Sequence, residues 1–364
     1  MMERVGKLQQ KLKEMNGSWA FITSTANVFY FSSFYSNPHE RLLAIVVFPN
    51  EEPFLICPEM DANQAKQAGW SYSIVSYDDV HDPWHMLRDE LKRRHIQTEQ
   101  IGIEKSHMTV SRLEQLQSYF SHASCFDLTD TIHELRMTKD EKELQTLRQA
   151  AELADFGVDV GIRALKEGKT ELEIIATIEY ELKKQGVRTM AFDTMVLTGT
   201  NSAHPHGVPG MNRIQAGDFV LFDLGVVLGG YCSDITRTVV FGQPTEEQKR
   251  IYNTVFEAQQ AAIHACQIGV SIGSIDKAAR SLIEQEGYGA YFPHRIGHGL
   301  GIDIHEYPSM NATNTMPLQA GMVFTIEPGI YVPSIGGVRI EDDIYMTEKG
   351  PLILTTYPKE LQII

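Results

Sequence analysis

The sequence predicts an α+β chain of two domains, a smaller α/β domain over residues 1–130 and a larger domain over residues 131–364. The length of 364 residues is too great for one ordinary hydrophobic core. Residues 3–125 alternate short helical and short strand patterns, which is typical of an α/β domain. Beyond them, a pattern of two helices followed by strand hairpins occurs twice, which indicates a duplication around an antiparallel sheet.

The first domain has recognisable elements but no functional signal. We find in it no phosphate loop, no dinucleotide fingerprint and no cluster of ligand-type residues. From hydrophobic periodicity and turn residues we expect helices at 3–15, 60–68, 84–94 and 109–119, and strands at 18–23, 42–48 and 53–57.

Capping boxes and glycines delimit the helices of the second domain. The junctions 164–174 and 265–275 can be aligned on each other, with close agreement at about four of the eleven positions. We expect one helix from the capping box Thr138/Glu141 to about residue 165 and a second from Thr170/Glu173 to about residue 186. A third helix runs from Thr245/Gln248 to about residue 266, and a fourth ends at about residue 286.

Residues 219–241 predict a hairpin with one aspartate in each strand, Asp223 and Asp234. A turn at Leu228-Gly229 places the aspartates directly opposite each other, whereas a turn at Gly229-Gly230 places Asp223 opposite Thr236. Both registers put the two carboxylates on one face, because the side-chain period of a strand is two. Two like charges on a half-buried face repel, so a positive group between them is expected.

Composition and sequence patterns argue against several classes of partner and favour one compartment. The net charge of -15 argues against nucleic acid and gives no reason to expect a membrane surface. We see no signal peptide and no apolar segment of transmembrane length. The four cysteines form no C-x-x-C pair, which favours reduced thiols in a cytoplasmic protein.

Carboxylates at apolar strand positions point to a metal centre. Asp223, Asp234, Glu327 and Glu341 have no lysine in their segments, and two arginines do not balance four charges. His298 stands among glycines, which let the backbone approach a site closely. Four carboxylates and one imidazole are too many for one small ion and suit two. Oxygen-rich ligation favours Mn or Co, with Zn also compatible.

Other histidines lie in the same segments of the chain. A structural role is the ordinary expectation for a single histidine, and we keep it for His204. His206, His298 and His305 are better candidates for a site, because each lies beside a glycine or a carboxylate in a non-helical segment.

The order and spacing of Asp-x10-Asp, His, Glu and Glu resemble the pita-bread metallopeptidases. The segments 205–207, 298–308 and 327–329 are similar to the proline-specific branch, Xaa-Pro dipeptidase (prolidase) and aminopeptidase P. Residues 1–125 resemble the creatinase/prolidase N-terminal domain, and residues 134–139 resemble the entry to the catalytic half. The resemblance implies a pita-bread catalytic domain, a proline-containing peptide substrate and a homodimer.

The resemblance also implies residue roles. Asp223 would hold one metal ion, Asp234 and Glu341 would bridge both, and His298 and Glu327 would complete the second. A metal-bridging hydroxide would attack the scissile carbonyl, with Glu327 as general base. His206 and His305 would stabilise the oxyanion or position the substrate. His294 would line the substrate pocket, and Arg339 would orient the carboxylates that bind metal.

Four alternatives to a dipeptidase stay open. An aminopeptidase P would accept longer peptides. A methionine aminopeptidase shares the ligand set but lacks the added N-terminal domain, and a creatinase-like hydrolase lacks the metal ligands. From another class, metal-free pita-bread modules bind peptides or histones, but they lose ligands that this chain keeps.

Overall fold

A computed structural model describes residues 2–364, which form two compact units that divide between Arg136 and Met137. The predicted boundary after residue 130 lies in the first turn of the helix Thr129–Met137. Within residues 2–364, no helix is both long and apolar enough to cross a membrane.

The first unit is built on one mixed six-stranded sheet. Its strands are β1 (Trp19–Ile22), β2 (Ala44–Val47), β3 (Phe54–Pro58), β4 (Ser73–Tyr77), β5 (Gln100–Ile103) and β6 (Ser124–Asp127), in the order β4-β3-β2-β1-β5-β6. The helices are α1 (Met2–Glu14), α2 (Thr25–Ser32), α3 (Glu59–Gln67), α4 (Pro83–Arg93), α5 (Val110–Tyr119) and α6 (Thr129–Met137), which leads into the second unit.

The elements predicted for this unit are confirmed, and the structure adds α2, α6 and the strands β4–β6. β4 and β6 were missed because they are partly exposed along most of their length, and β5 because its four residues include a glycine, which is depleted in strands. Side chains such as Phe21 and Phe54 of the sheet pack with Trp84 of α4 in the core of the unit.

The second unit contains four long helices and the remaining strands. The helices are α7 (Glu141–Arg163), α8 (Glu171–Lys184), α9 (Glu246–Ala265) and α10 (Ile272–Gln285). The strands are β7 (Thr189–Met190), β8 (Met195–Thr198), β9 (Asp218–Leu224), β10 (Val226–Leu228), β11 (Tyr231–Cys232), β12 (Ile235–Phe241), β13 (Gly297–Gly299), β14 (Glu306–Met310), β15 (Val323–Ile326), β16 (Gly329–Val332), β17 (Gly336–Arg339), β18 (Asp342–Thr347) and β19 (Gly350–Ile353). Short 3₁₀ helices lie at Gly199–Ala203 and Gly289–Tyr291.

Each half of the second unit packs a helix pair against antiparallel strands. α7 and α8 share a core with the sheet β12-β9-β8, whereas α9 and α10 pack on the sheet β14-β13-β15-β18-β19. Two smaller sheets, β11-β10-β7 and β16-β17, complete the unit. The predicted α+β class, with helices packed on curved antiparallel sheets, is confirmed.

The duplication is visible in the backbone hydrogen bonds. In the first half a segment near residues 210–214 runs antiparallel to the start of α8, and in the second half residues 314–318 run antiparallel to the start of α10. The hydrogen bond from Gly168 N to Ile214 O in the first half corresponds to the one from Gly269 N to Leu318 O in the second. Likewise, Ile214 N to Lys169 O corresponds to Leu318 N to Val270 O, and the bridge Thr170–Arg213 corresponds to the bridge Ser271–Pro317. The alignment of residues 164–174 with 265–275 is therefore structurally correct.

One predicted helix start is wrong. The capping box of α7 consists of Asp140 and Glu143, not of Thr138 and Glu141. Asp140 accepts hydrogen bonds from the first-turn N–H groups, and Glu143 accepts one from the N–H of Asp140. Thr138 forms a bridge with Met322 instead, so its backbone is extended and joined to a strand segment. The two predicted boxes at Thr170 and Thr245 are confirmed.

The hairpin takes the second of its two possible registers. Asp223 of β9 pairs with Thr236 of β12, and the turn consists of Gly229 and Gly230 with φ of 55° and 85°. Two consecutive positive φ values are what a tight two-residue hairpin turn requires. Gly225 lies where the hairpin crosses from β9 to β10, and a Cβ there would be 1.8 Å from the carbonyl oxygen of Ser233.

This close approach predicts that Gly225→Ala lowers the free energy of unfolding by roughly 1–3 kcal/mol, the usual cost of overpacking. Gly6→Ala in α1 is the matched control, because a Cβ at Gly6 meets nothing within 4 Å. We expect that control to raise the free energy of unfolding by about 0.5–1 kcal/mol, since alanine favours a helix over glycine. Urea denaturation measures both, and equal effects of the two substitutions would contradict the register.

Candidate metal centre

The five predicted ligands line a single cavity of about 410 Å³ in the second unit. Asp223 lies in β9 and Asp234 directly before β12, while His298 lies in β13. Glu327 follows β15, and Glu341 lies between β17 and β18. Strands that are distant in sequence therefore present their polar side chains to one point between the two halves.

The tightest part of the cluster surrounds the His298 ring. One ligand atom from each of Asp234, His298 and Glu341 lies within 4.8 Å of the other two. The His298 Nε2 atom is 3.6 Å from Asp234 Oδ2 and 3.4 Å from Glu327 Oε1. Asp234, His298 and Glu341 are therefore close enough to share a small cation, and Glu327 lies beside the His298 ring.

The protonation state of His298 determines whether its contacts with the carboxyl groups are favourable. Its Nδ1 lies 3.1 Å from the carbonyl oxygen of Gly299, which can only accept, so Nδ1 carries the proton and Nε2 has a lone pair. Burial, with a further contribution from His305, lowers the pKa of His298 to about 3, so the ring is neutral at pH 7. Between Nε2 and an ionised carboxylate, two acceptors would face each other, and a bound cation would make that arrangement favourable.

The carboxyl groups are unfavourable as anions without a cation. Burial raises the pKa values of Asp234 and Glu341 well above the ordinary range, and the neighbouring carboxylates raise them further. Burial also raises the pKa of Glu327 to about 7. Among residues 2–364, the buried atoms Asp223 Oδ1 and Asp234 Oδ1 have no hydrogen-bond donor. Oxygens left without a donor in a cluster of this kind are suitable metal ligands.

Arg339 and Thr236 hold the carboxylates in place. The buried Arg339 guanidinium donates to Asp223 Oδ2 through Nη2 and to Thr236 Oγ1 through Nε at 3.0 Å. The Thr236 hydroxyl in turn donates to Glu341 Oε2 at 2.6 Å. Burial raises the pKa of Asp223, and the charge of Arg339 partly offsets that effect. At least one oxygen of each carboxylate still remains for a metal ion.

The predicted histidines lie at the same cavity, and they differ in their surroundings. His206 and His305 are exposed on the cavity wall, and the His305 ring centroid is 4.1 Å from that of His298. Burial lowers the pKa of His305, and the charge of Arg295 adds to this. His204 is not among the cavity-lining residues.

His294 has both ring nitrogens engaged by the protein. Its Nδ1 is 2.8 Å from the carbonyl oxygen of Arg295 and therefore donates, so its Nε2 accepts from the Tyr331 hydroxyl at 2.9 Å. Arg339 Nη1 donates to the same hydroxyl oxygen at 2.8 Å. Burial lowers the pKa of His294 to about 4, which keeps the ring neutral. A substrate can therefore pack against the His294 ring, but both ring nitrogens are already hydrogen-bonded within the protein.

Sequence reasoning missed Tyr331 and Thr236. The signal for Thr236 was available, because it lies two residues after Asp234 on the same strand and faces Asp223 in one of the two registers. Tyr331 gave no signal, because an aromatic residue in a buried strand is normally part of a core. Phe192, Met195 and Ile304, which give the cavity an apolar side, were also missed, because an apolar residue in a loop or at the start of a strand carries no functional signal.

Comparison with known proteins decides the family. Residues 145–348 match metallopeptidase family M24, and residues 4–138 match the creatinase/prolidase N-terminal domain. The chain belongs to metallopeptidase family M24. It is therefore a metal-dependent peptidase, and the resemblance seen in the sequence is confirmed.

Relatives of this M24 peptidase match along its whole length. The YkvY protein of Bacillus subtilis (strain 168) is 51% identical over 363 residues, covering 100% of both chains. The structure of a Xaa-Pro dipeptidase from Bacillus anthracis superposes with a TM-score of 0.93 at 33% identity, covering 100% of this chain and 99% of that one. The X-Pro aminopeptidase from Thermotoga maritima MSB8 superposes with a TM-score of 0.87 at 32% identity, covering 95% and 97%.

The bridging position of Thr236 predicts that Thr236→Val weakens binding of Mn²⁺ by about 10- to 100-fold, the usual effect of losing a group that orients a metal ligand. The valine leaves Glu341 Oε2 and Arg339 Nε without their shared partner. Thr254→Val is the control, because Thr254 is also buried but its hydroxyl donates within α9, to the carbonyl oxygen of Arg250. Calorimetric titration with Mn²⁺ measures both, and equal affinities of the two variants would contradict the role of Thr236.

Proposed function

We propose that this M24 peptidase is a Xaa-Pro dipeptidase that uses two divalent cations to hydrolyse the bond before proline. The observation that carries the proposal is the group of acceptor atoms around His298 Nε2, which fits a cation. The residues that would hold the two ions are Asp223, Asp234, His298, Glu327 and Glu341.

The donor set supports the choice of metal and its number. Four carboxylates and one imidazole exceed what one small ion needs, and hard oxygen ligands favour Mn over thiolate-seeking metals, with Co or Zn as alternatives. When bound, such cations supply Lewis acidity, which polarises a carbonyl and activates water at neutral pH.

The proposed roles of the other residues follow from where each lies. The Glu327 side chain is 16% exposed, against 5% for His298 and 7% for Asp234, so Glu327 is better placed to move a proton between water and the leaving amine. His206 and His305, exposed on the cavity wall, contact the substrate carbonyl and its developing charge. Arg339 fixes Asp223, and the His294 ring forms part of the substrate pocket.

The cavity supports a small substrate. Its volume of about 410 Å³ is within the range of small-molecule sites, and Phe192, Met195 and Ile304 provide apolar contacts for a proline ring. The solved dipeptidase and aminopeptidase relatives are similar to this chain to nearly the same degree. An Xaa-Pro aminopeptidase that accepts longer peptides is therefore the second candidate.

The oligomeric state, the compartment and the division into domains are also part of the proposal. We expect a homodimer that acts on proline-containing peptides in the cytoplasm and that binds neither nucleic acid nor membranes. The four unpaired cysteines fit a reducing compartment, and the net charge of -15 fits the absence of nucleic acid. All the residues discussed for the site fall in 131–364, which supports that segment as the catalytic domain and 1–130 as the accessory N-terminal domain.

Substrate length decides between the two candidates. After chelation and reloading with Mn²⁺, Co²⁺ or Zn²⁺, we expect release of proline from Xaa-Pro and little cleavage of Xaa-Pro-Yaa. Faster cleavage of the tripeptides would favour the aminopeptidase. Less than one divalent ion per chain after purification in Mn²⁺ buffer, with no hydrolysis, would instead indicate a metal-free binding module.

Removing a ligand tests the site itself. We expect Asp234→Asn and His298→Ala each to abolish hydrolysis of Xaa-Pro and to lower the bound metal sharply, because each removes an atom from the centre of the cluster. Circular dichroism and elemental analysis show whether the chain stays folded and how much metal it holds. Full turnover by either variant would refute the assignment.

A further inference from the structure

A buried carboxylate lies at the base of the loop that carries His206. Glu171 is the first residue of α8 and is fully buried. It is no part of the cavity wall and contacts none of the proposed metal ligands. Its oxygens accept from Thr198 N at 2.8 Å, Asn201 Nδ2 at 2.9 and 3.1 Å, Gly210 N at 2.7 Å and Asn212 Nδ2 at 3.1 Å.

These donors lie at the two ends of one loop. Thr198 is the last residue of β8, where the loop begins, and Gly210 is where the chain returns to α8. Residues 199–209 between them project to the cavity, with Pro205 and His206 on its wall. The single Glu171 carboxylate therefore closes this loop at its base.

The backbone makes a second, independent connection to the same helix. Glu171 N donates to Asn212 O at 3.1 Å, and Leu172 N donates to Gly210 O at 3.4 Å. The returning segment thus supplies acceptors to the first N–H groups of α8, which have no partner within the helix. The Glu171 side chain supplies acceptors in the opposite direction, to N–H groups of the loop.

The second half of the duplication shows that the returning segment can pair with the start of the helix through the backbone alone, without a carboxylate. Ile272 takes the place of Glu171, and its N–H donates to Met316 O at 2.9 Å, while Gly273 N donates to Asn314 O at 2.7 Å. The same backbone exchange therefore forms with a buried isoleucine. Docking of the returning segment does not need a carboxylate, and burying one is costly unless it serves another purpose.

We infer that Glu171 is a positioning residue for His206: its carboxylate fixes the loop 199–209 so that the His206 ring is held at the substrate. The inference rests on the proposed peptidase function and on the place of His206 in it. Amide donors from both ends of the loop converge on one rigid acceptor, and catalysis is sensitive to displacements of about 1 Å in the groups that hold a substrate.

The test compares Glu171→Gln with Glu173→Gln in the metal-loaded enzyme. Glu173 lies in the same turn of α8, but its carboxylate accepts only from Thr170, at 2.8 and 3.0 Å, and touches no loop residue. We expect Glu171→Gln to lower kcat for Xaa-Pro by about 10- to 100-fold, because the amide retains too few acceptor sites to close the loop. Hydrogen exchange of residues 199–209 should become faster, whereas Mn²⁺ affinity should be unchanged. We expect Glu173→Gln to leave kcat and the exchange of the loop unchanged.

Combination with His206→Ala separates positioning from a general structural effect. If Glu171 acts through His206, then adding Glu171→Gln to His206→Ala changes kcat by less than about twofold. Multiplied losses in the double variant, weaker Mn²⁺ binding in Glu171→Gln, or the same loss in Glu173→Gln would overturn the inference. Should Glu171→Gln fail to fold, Asn201→Ala keeps the carboxylate and removes one donor, and it should lower kcat and quicken loop exchange in the same direction.

Failure of the inference and failure of the proposed function give different results. Loss of turnover in His206→Ala with normal turnover in Glu171→Gln overturns only the role of Glu171. Full turnover in His206→Ala overturns the role of His206 and the inference together. Absence of Xaa-Pro hydrolysis in the wild type refutes the function, and unchanged loop exchange in Glu171→Gln would then refute the loop contact as well.

Discussion

The second unit depends on one electrostatic constraint, which is that four carboxylates and a neutral imidazole face one another in a buried space. As ions the carboxylates repel one another, and burial further disfavours their charged form. The protein itself supplies the guanidinium of Arg339 and the hydroxyls of Thr236 and Thr325, which orient the carboxylates, and the single charge of Arg339 offsets only part of their repulsion. The fold therefore holds these side chains close together against the repulsion of their ionised forms, and a bound cation would relieve that repulsion.

The sequence could bring out the five candidate ligands, which line one cavity in the structure, because strand periodicity and an apolar context are local properties. Asp223 and Asp234 share a face in either hairpin register, so the conclusion did not depend on which register was right. The register follows from the turn at Gly229 and Gly230, and three consecutive candidates for the turn, Leu228, Gly229 and Gly230, left both registers open in the sequence. The start of α7 was placed two residues too early for a similar reason. Thr138 and Asp140 are both good caps, and the backbone of Thr138 is taken by its bridge to Met322, a residue far away in sequence.

The supporting residues could not be found in the same way. Tyr331 matters because its hydroxyl joins Arg339 to His294, and Thr236 matters because it joins Arg339 to Glu341. Each is a contact between strands that the chain brings together only after folding. In the sequence, a threonine or tyrosine of a buried strand cannot be told from an ordinary core residue. The sequence alone therefore identifies the charged residues of the site but not the neutral side chains that orient those residues.

The duplication explains how such a site can be assembled. Both halves use the same backbone exchange at the start of their second helix, and residues of both halves line the one cavity. The first half contributes Asp223 and Asp234, and the second contributes His298, Glu327 and Glu341. Positions that are equivalent in the backbone are thus free to differ in side chain, as Glu171 and Ile272 do. A repeated scaffold can carry unequal chemistry because its stability comes from hydrogen bonds and apolar packing that both copies retain, while the polar side chains at its inner edge differ from one half to the other.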